Sequence, residues 1–296
     1  MNYGNWLSLG LLATMWGSAF LFHKAAVAGI PPLSIVAFRT LVTAAVLGLL
    51  LAAGLAGERR AVPWRRLWRA MLALGVINGA LPFFLIAWSQ RHIEASLGGI
   101  LNAAVPMFTV LFSHLFIPSE RATLPKLSGV LLGFCGVVLV LGPGALAGLG
   151  QHLAGQFAML GACICYASSS VVSRRLGPVP VVALAAGQLA VSGLIALPLA
   201  LAFDRPWQLE PSREQWGALA AITLYGTALP TLIYYRLIQR TAALNVSLVS
   251  FLIPIVAVGL GVVVLQERVG PLTLAGFLVI LSGVALTQGR VPGLRR

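Results

Sequence analysis

Arg39 is the one charge that falls well inside an apolar stretch of this chain. It lies about seven residues into its run, roughly 10 Å deep at 1.5 Å per residue. A guanidinium with no acid at helical spacing needs carbonyls, water or an anion. Its chemistry is attraction of a carboxylate, unless it caps a neighbouring helix or snorkels to an interface. Asn78, Asn102, Gln188 and Asn245 also fall in apolar runs, with Ser18, Ser168, Ser247, Ser250, Tyr225 and Tyr234. An amide can accept from an ammonium through oxygen and donate to a carboxylate through nitrogen. Trp16, Phe20, Trp88, Tyr166 and Tyr225 offer apolar faces that tolerate varied side chains and attract a cation. Any one of these reads as readily as packing or glue between helices. The set is more informative than its members.

Four prolines accompany them. Pro82 and Pro106 fall inside two runs of the first half, and Pro230 and Pro254 recur 148 residues later. Each removes a helical hydrogen bond and frees a carbonyl. In lipid that backbone must face protein or a wet cavity. Kinks at matched places mark those four helices as central, either as static bends or as hinges. Asn78 and Asn102 each lie one turn before a proline.

Other chemistries lack their parts. All seven acids lie in loops or at helix ends, so no buried carboxylate offers a proton relay or a strong cation ligand. His23 and His114 sit near span ends and read as interface markers; His92 and His152 are loop residues. Cys135, Cys163 and Cys165 read as small apolar side chains. No nucleophile–His–acid grouping, phosphate loop or metal spacing is present, so neither an enzyme nor a cofactor is expected.

The elements that must position these groups are membrane helices. Apolar residues make up 59% of the 296 and charged residues 9%, against about 25% charge in soluble domains. At about 20 apolar residues per crossing, ten runs emerge: roughly 5–26, 32–55, 68–90, 95–117, 124–142, 154–173, 180–203, 215–238, 242–265 and 269–288. The first is too long for a signal peptide and is expected to be retained. With both termini on one side, that side holds fourteen Lys and Arg and the other holds five. The positive-inside rule then makes both termini cytoplasmic. The net charge of +13 reports topology, not nucleic-acid binding. Trp64, Trp68, Trp207 and Trp216 suit the interfacial belt.

The runs form two copies. Ala80-Leu81-Pro82 returns as Ala228-Leu229-Pro230, and Glu120-Arg121, Gly129 and Gly136 return 147 residues on as Glu267-Arg268, Gly276 and Gly283. The Gly142–Gly150 linker leaves five spans on each side, so the second copy is inverted. The expected units are 1–142 and 150–290. Inverted repeats are a hallmark of secondary transporters. Gly129, Gly133 and Gly136 form a small-residue ridge on the fifth helix that would let another backbone approach.

With Trp16-Gly17-Ser18-Ala19-Phe20 in the first span, Phe38-Arg39 in the second and a Glu-Arg pair before each Gly-rich helix, the chain resembles the EamA-type carriers of the drug/metabolite transporter superfamily. Within it, the chain looks most like the YddG-type amino-acid exporters. The resemblance implies a bacterial inner-membrane carrier with helices 1–4 and 6–9 around a cavity and helices 5 and 10 outside. The halves diverge where Trp16-Gly17-Ser18 becomes Tyr166-Ala167-Ser168 and where Arg39 aligns near Gln188.

The expected function is export of aromatic and other neutral amino acids by alternating access, without proton coupling. The partners are a small-molecule substrate and the lipid bilayer, in a chain that could act as a monomer. Competing readings keep the carrier but change its cargo to a nucleobase, sugar or drug with possible proton coupling, or make the chain a non-transporting membrane scaffold. A cargo with several phosphates would need more cations than Arg39.

Overall fold

The computed structural model describes residues 3–55, 64–93, 98, 101–141, 152–256 and 270–287. The 142–150 linker between the expected units, Glu58, Arg59, Arg60, Glu94, the Glu267-Arg268 pair and the C-terminal arginines lie outside the described residues, as do the side chains of Phe20, Lys24 and Trp64.

Among the described residues every regular element is helical, and there are ten rods. They are α1 (Tyr3–Val27), α2 (Pro32–Ala52), α3 (Trp64–Gly75, continuing over Leu81–Ser89), α4 (Val105–Phe116) and α5 (Leu124–Leu141). The second half supplies α6 (Leu153–Arg175), α7 (Val181–Leu199), α8 (Arg213–Thr223, continuing over Leu229–Arg240), α9 (Ala243–Val256) and α10 (Pro271–Thr287). Five of them, α2, α3, α6, α7 and α8, are long and apolar enough to cross a membrane by length and composition. The outer faces of the bundle carry bare leucines, with Leu194 on α7 66% and Leu278 on α10 68% exposed. Such surfaces suit a hydrocarbon solvent, which makes the chain an all-α, multi-pass membrane protein.

Local sequence sets the helix ends. The first turns of α3 bury Leu67, Ala70, Met71 and Leu74 at helical spacing and expose Arg65, Arg66 and Arg69. Ser212 opens α8 with a capping box to Gln215. Two caps come from distant chain. Asp204 accepts from the Ser34 backbone N–H at 2.7 Å and so caps α2. Glu120 accepts from Ala243 N at 2.9 Å and pairs with Arg174 at 2.8 Å, joining α9 and α6 to the first half.

The two Leu-Pro pairs give matched π turns. Val76–Ala80 interrupts α3 and Leu224–Ala228 interrupts α8, each immediately before its Leu-Pro. Proline cannot close the ordinary helical bond, and the wider turn absorbs the mismatch. Pro106 corrects the sequence expectation: it sits not mid-helix but in the first turn of α4, after a break at Ala103–Ala104. That position lacks an N–H partner in any helix, so the proline breaks no helical bond there. α9 has a corresponding irregularity at Leu248.

The halves pack through contacts that exchange under the repeat. Gly129 of α5 meets the Gly283 carbonyl of α10, and Gly136 meets the Gly276 carbonyl. A Cβ at Gly129 would lie 2.7 Å from that carbonyl oxygen, so the two backbones touch. Thr43 of α2 donates to the Thr223 carbonyl of α8 at 3.2 Å, and Ser192 of α7 donates to the Gly75 carbonyl of α3 at 2.7 Å. Both accepting carbonyls lie one residue before a π turn. Gly79 has no side chain where the Ser192 hydroxyl must pass.

Candidate functional site

A cavity of about 150 Å³ lies between the halves. By that measure a water needs roughly 10–15 Å³, so there is room for on the order of ten waters or one small solute. Among the described residues its walls come from α1 to α4 and α6 to α9 with their adjoining turns, and α5 and α10 contribute none of them.

Arg39 enters the cavity from α2 and is only 6% exposed. Its Nε and Nη2 donate to Thr227 Oγ1 at 3.0 and 2.8 Å, and its Nη1 donates to His23 Nε2 at 3.1 Å. The guanidinium carbon stands 3.9 Å from the centre of the Phe83 ring, within cation–π range. Thr227 belongs to the π turn of α8 and passes its own proton to the Ile222 carbonyl at 2.8 Å. The opposite half thus orients the arginine. An arginine has five N–H groups. Among the described residues three are held by protein, which leaves one on each Nη. No carboxylate lines the cavity among the described residues.

His23 corrects its reading as an interface marker. It is 7% exposed and lines the cavity wall beside Arg39. Arginine can only donate, so His23 Nε2 accepts and the imidazole is the neutral Nδ1–H tautomer. Nδ1 has no hydrogen-bond partner among the described residues.

A second polar group faces the same space. Ser169 donates to Asn78 Oδ1 at 2.9 Å, and Tyr235 donates to Gln188 Oε1 at 2.9 Å. Asn78 Nδ2 gives longer bonds of 3.3 Å to Gln188 and 3.4 Å to Tyr235. Gln188 of α7 therefore reaches the π turn of α3, as Arg39 of α2 reaches the π turn of α8. Tyr234 shares a bond of 3.1 Å with Ser170, and its ring lies 6.1 Å from that of Trp16. Asn102 is 8% exposed and lines the wall.

The cavity brings together Trp16, Arg39, Asn78, Asn102, Tyr166, Gln188 and Tyr234. Four expected members fall outside its walls. The Ser18 hydroxyl turns back to the Thr14 carbonyl at 2.8 Å, the usual satisfaction of a helical serine. Trp88 stacks on His92 with ring centres 4.1 Å apart. Tyr225 and Asn245 are partly buried elsewhere, Asn245 with a partner of its own. Phe20's side chain is not among those described. Sequence reasoning missed Thr227, Phe83, Ser169, Ser170 and His23 as wall residues. One signal was present: Gly226-Thr227-Ala228 repeats Asn78-Gly79-Ala80 with the polar residue moved by one place.

Residues 4–142 and 153–288 each match the profile of the EamA-like transporter family. The uncharacterized transporter YvbV of Bacillus subtilis is 27% identical over 290 residues, covering 95% of this chain and 90% of that one. The aromatic amino acid exporter YddG of Ancylobacter novellus is 33% identical over 115 residues, 38% of each chain. A crystal structure superposes with a TM-score of 0.77 at 22% identity, covering 97% of this chain and 96% of that one, and shares the fold.

Proposed function

This chain belongs to the EamA-like transporter family, and from that premise we propose that it exports amino acids from the bacterial cytoplasm across the inner membrane. Cargo binds in the central cavity, and access alternates between the two sides. The observation that carries the reading is the placement of Arg39: a cation in a small cavity, oriented by the opposite half, with two N–H groups left over and no acid beside it among the described residues. Those two N–H groups suit a substrate carboxylate. Asn102 and the Asn78–Gln188 pair form the neutral polar wall that the amino group would meet, and Trp16, Tyr166 and Tyr234 accept the side chain. The stretch shared with an aromatic amino acid exporter supports the same cargo.

Transport is facilitative in this reading. The two carboxylates whose surroundings are described most fully, Glu120 and Asp204, hold helix ends rather than facing the cavity. Both termini lie in the cytoplasm, following the excess of basic residues on that side.

Purified protein in liposomes loaded with radiolabelled amino acids tests the proposal. Efflux above that of empty vesicles is expected for aromatic and other neutral amino acids. Its absence across a broad panel removes the amino-acid reading. Efflux that vanishes without an imposed pH gradient removes the facilitative one.

A further inference from the structure

We infer that the cavity reads the carboxylate and not the ammonium of its cargo, so that monocarboxylates lacking an amino group are also substrates. This rests on the cavity being the substrate site.

The asymmetry is in the wall. Arg39 is the sole formal charge on it among the described residues, and it has two N–H groups without protein partners, the number that a bidentate carboxylate accepts. One face of the guanidinium is covered by Phe83, its Nε–Nη2 edge by Thr227, and Nη1 also faces His23, so a ligand anion meets the one N–H left on each Nη. A buried cation gains most from an anion that completes its coordination. An ammonium meets nothing equivalent. Its available partners are neutral: the Asn102 amide oxygen, serine hydroxyls and the faces of Trp16, Tyr166 and Tyr234. Several nearby acceptors are already engaged, since Asn78 Oδ1 accepts from Ser169 and Gln188 Oε1 accepts from Tyr235. Neutral acceptors can tolerate an ammonium without making it necessary. A cation lacking a carboxylate is repelled by Arg39 and gains no ion pair in return.

The full chain in lipid nanodiscs, titrated calorimetrically with L-phenylalanine, 3-phenylpropanoate and 2-phenylethylamine, tests this. Binding avoids the leak of weak acids through vesicles. The two acids are expected to bind within about threefold of each other, and the amine at least tenfold more weakly. Loss of tenfold or more on removing the ammonium overturns the inference and leaves the amino-acid reading intact. Amine binding as tight as that of phenylalanine also overturns the inference. Binding of phenylpropanoate but not phenylalanine upholds the inference and defeats the amino-acid reading. Binding of none of the three overturns the inference, and the vesicle panel then judges the amino-acid reading separately. Arg39→Gln should weaken both acids alike. Because that variant could fail to fold, the comparison of ligands on the unaltered chain decides.

Discussion

Thr227 fixes the direction in which Arg39 points. Two N–H groups of the guanidinium end on its hydroxyl, and charge-assisted bonds of this kind contribute about 1.5–3 kcal/mol. Thr227→Val keeps the shape and removes the acceptor. Carboxylate affinity is expected to fall roughly tenfold or more by calorimetry, with far-ultraviolet circular dichroism unchanged. Arg39→Lys should not restore a binding site that needs two parallel N–H groups, since an ammonium offers a point charge on a flexible stem. If it binds phenylalanine as tightly as the unaltered chain, Arg39 acts through charge alone. Arg39 itself was legible in the sequence because a charge in an apolar run has few explanations. Thr227 and His23 were not, because a threonine or a histidine in a membrane helix acquires a role only when another helix brings it a partner.

The π turns are the clearest product of local sequence among the elements. Leu-Pro in α3 and in α8 forces each one, and a hydroxyl from the opposite half satisfies a carbonyl just before each. Ser192→Ala should cost about 1 kcal/mol, read as a lower unfolding midpoint, because the Gly75 carbonyl loses its serine donor. The α5–α10 crossing rests on bare backbone, and Gly129→Leu should destabilise by about 1–3 kcal/mol by forcing the helices apart. An unchanged midpoint would mean that the crossing adds nothing to stability. The proline spacing identified the central helices, yet it misplaced Pro106. A proline at a helix start and one inside a helix look alike in sequence, and only the break at Ala103–Ala104 separates them. Ser18 was misread for a related reason: the sequence does not say whether a hydroxyl bonds its own helix or faces a cavity.

At the scale of the whole molecule, duplication made the fold readable long before the site. Matched offsets of 147 and 148 residues place ten helices in two copies, with Gly129 equivalent to Gly276 and Gly136 to Gly283, and in the fold the copies cross so that Gly129 meets Gly283 and Gly136 meets Gly276. The site was harder to read because it lies where the copies differ, at Arg39 against Gln188 and at Trp16 against Tyr166. Facilitation predicts that flux follows the substrate gradient and is indifferent to a pH step across the vesicle membrane. With ten crossings, a reporter on either terminus should label from the cytoplasmic face; labelling of the two ends from opposite faces would revise the number of spans.

The two cross-half grips are counterparts, but they are unequal. Arg39 holds the π turn of α8 with charged donors, whereas Gln188 meets the π turn of α3 through a neutral bond of 3.3 Å. Under the proposed alternating access, opening the cavity along either grip requires releasing it, so the empty carrier is expected to idle with a preferred direction, shut more firmly on the side where α2 begins. Each 1.4 kcal/mol of inequality skews that idling about tenfold. Linkage is reciprocal: if the Thr227 contact favours the anion, the anion favours the Thr227 contact, so cargo on the remaining N–H groups would tighten the stronger grip. Single cysteines placed on the two rims, probed with a membrane-impermeant thiol reagent with and without phenylalanine, should show the ligand lowering reactivity on the rim where α2 begins and leaving the other rim unchanged.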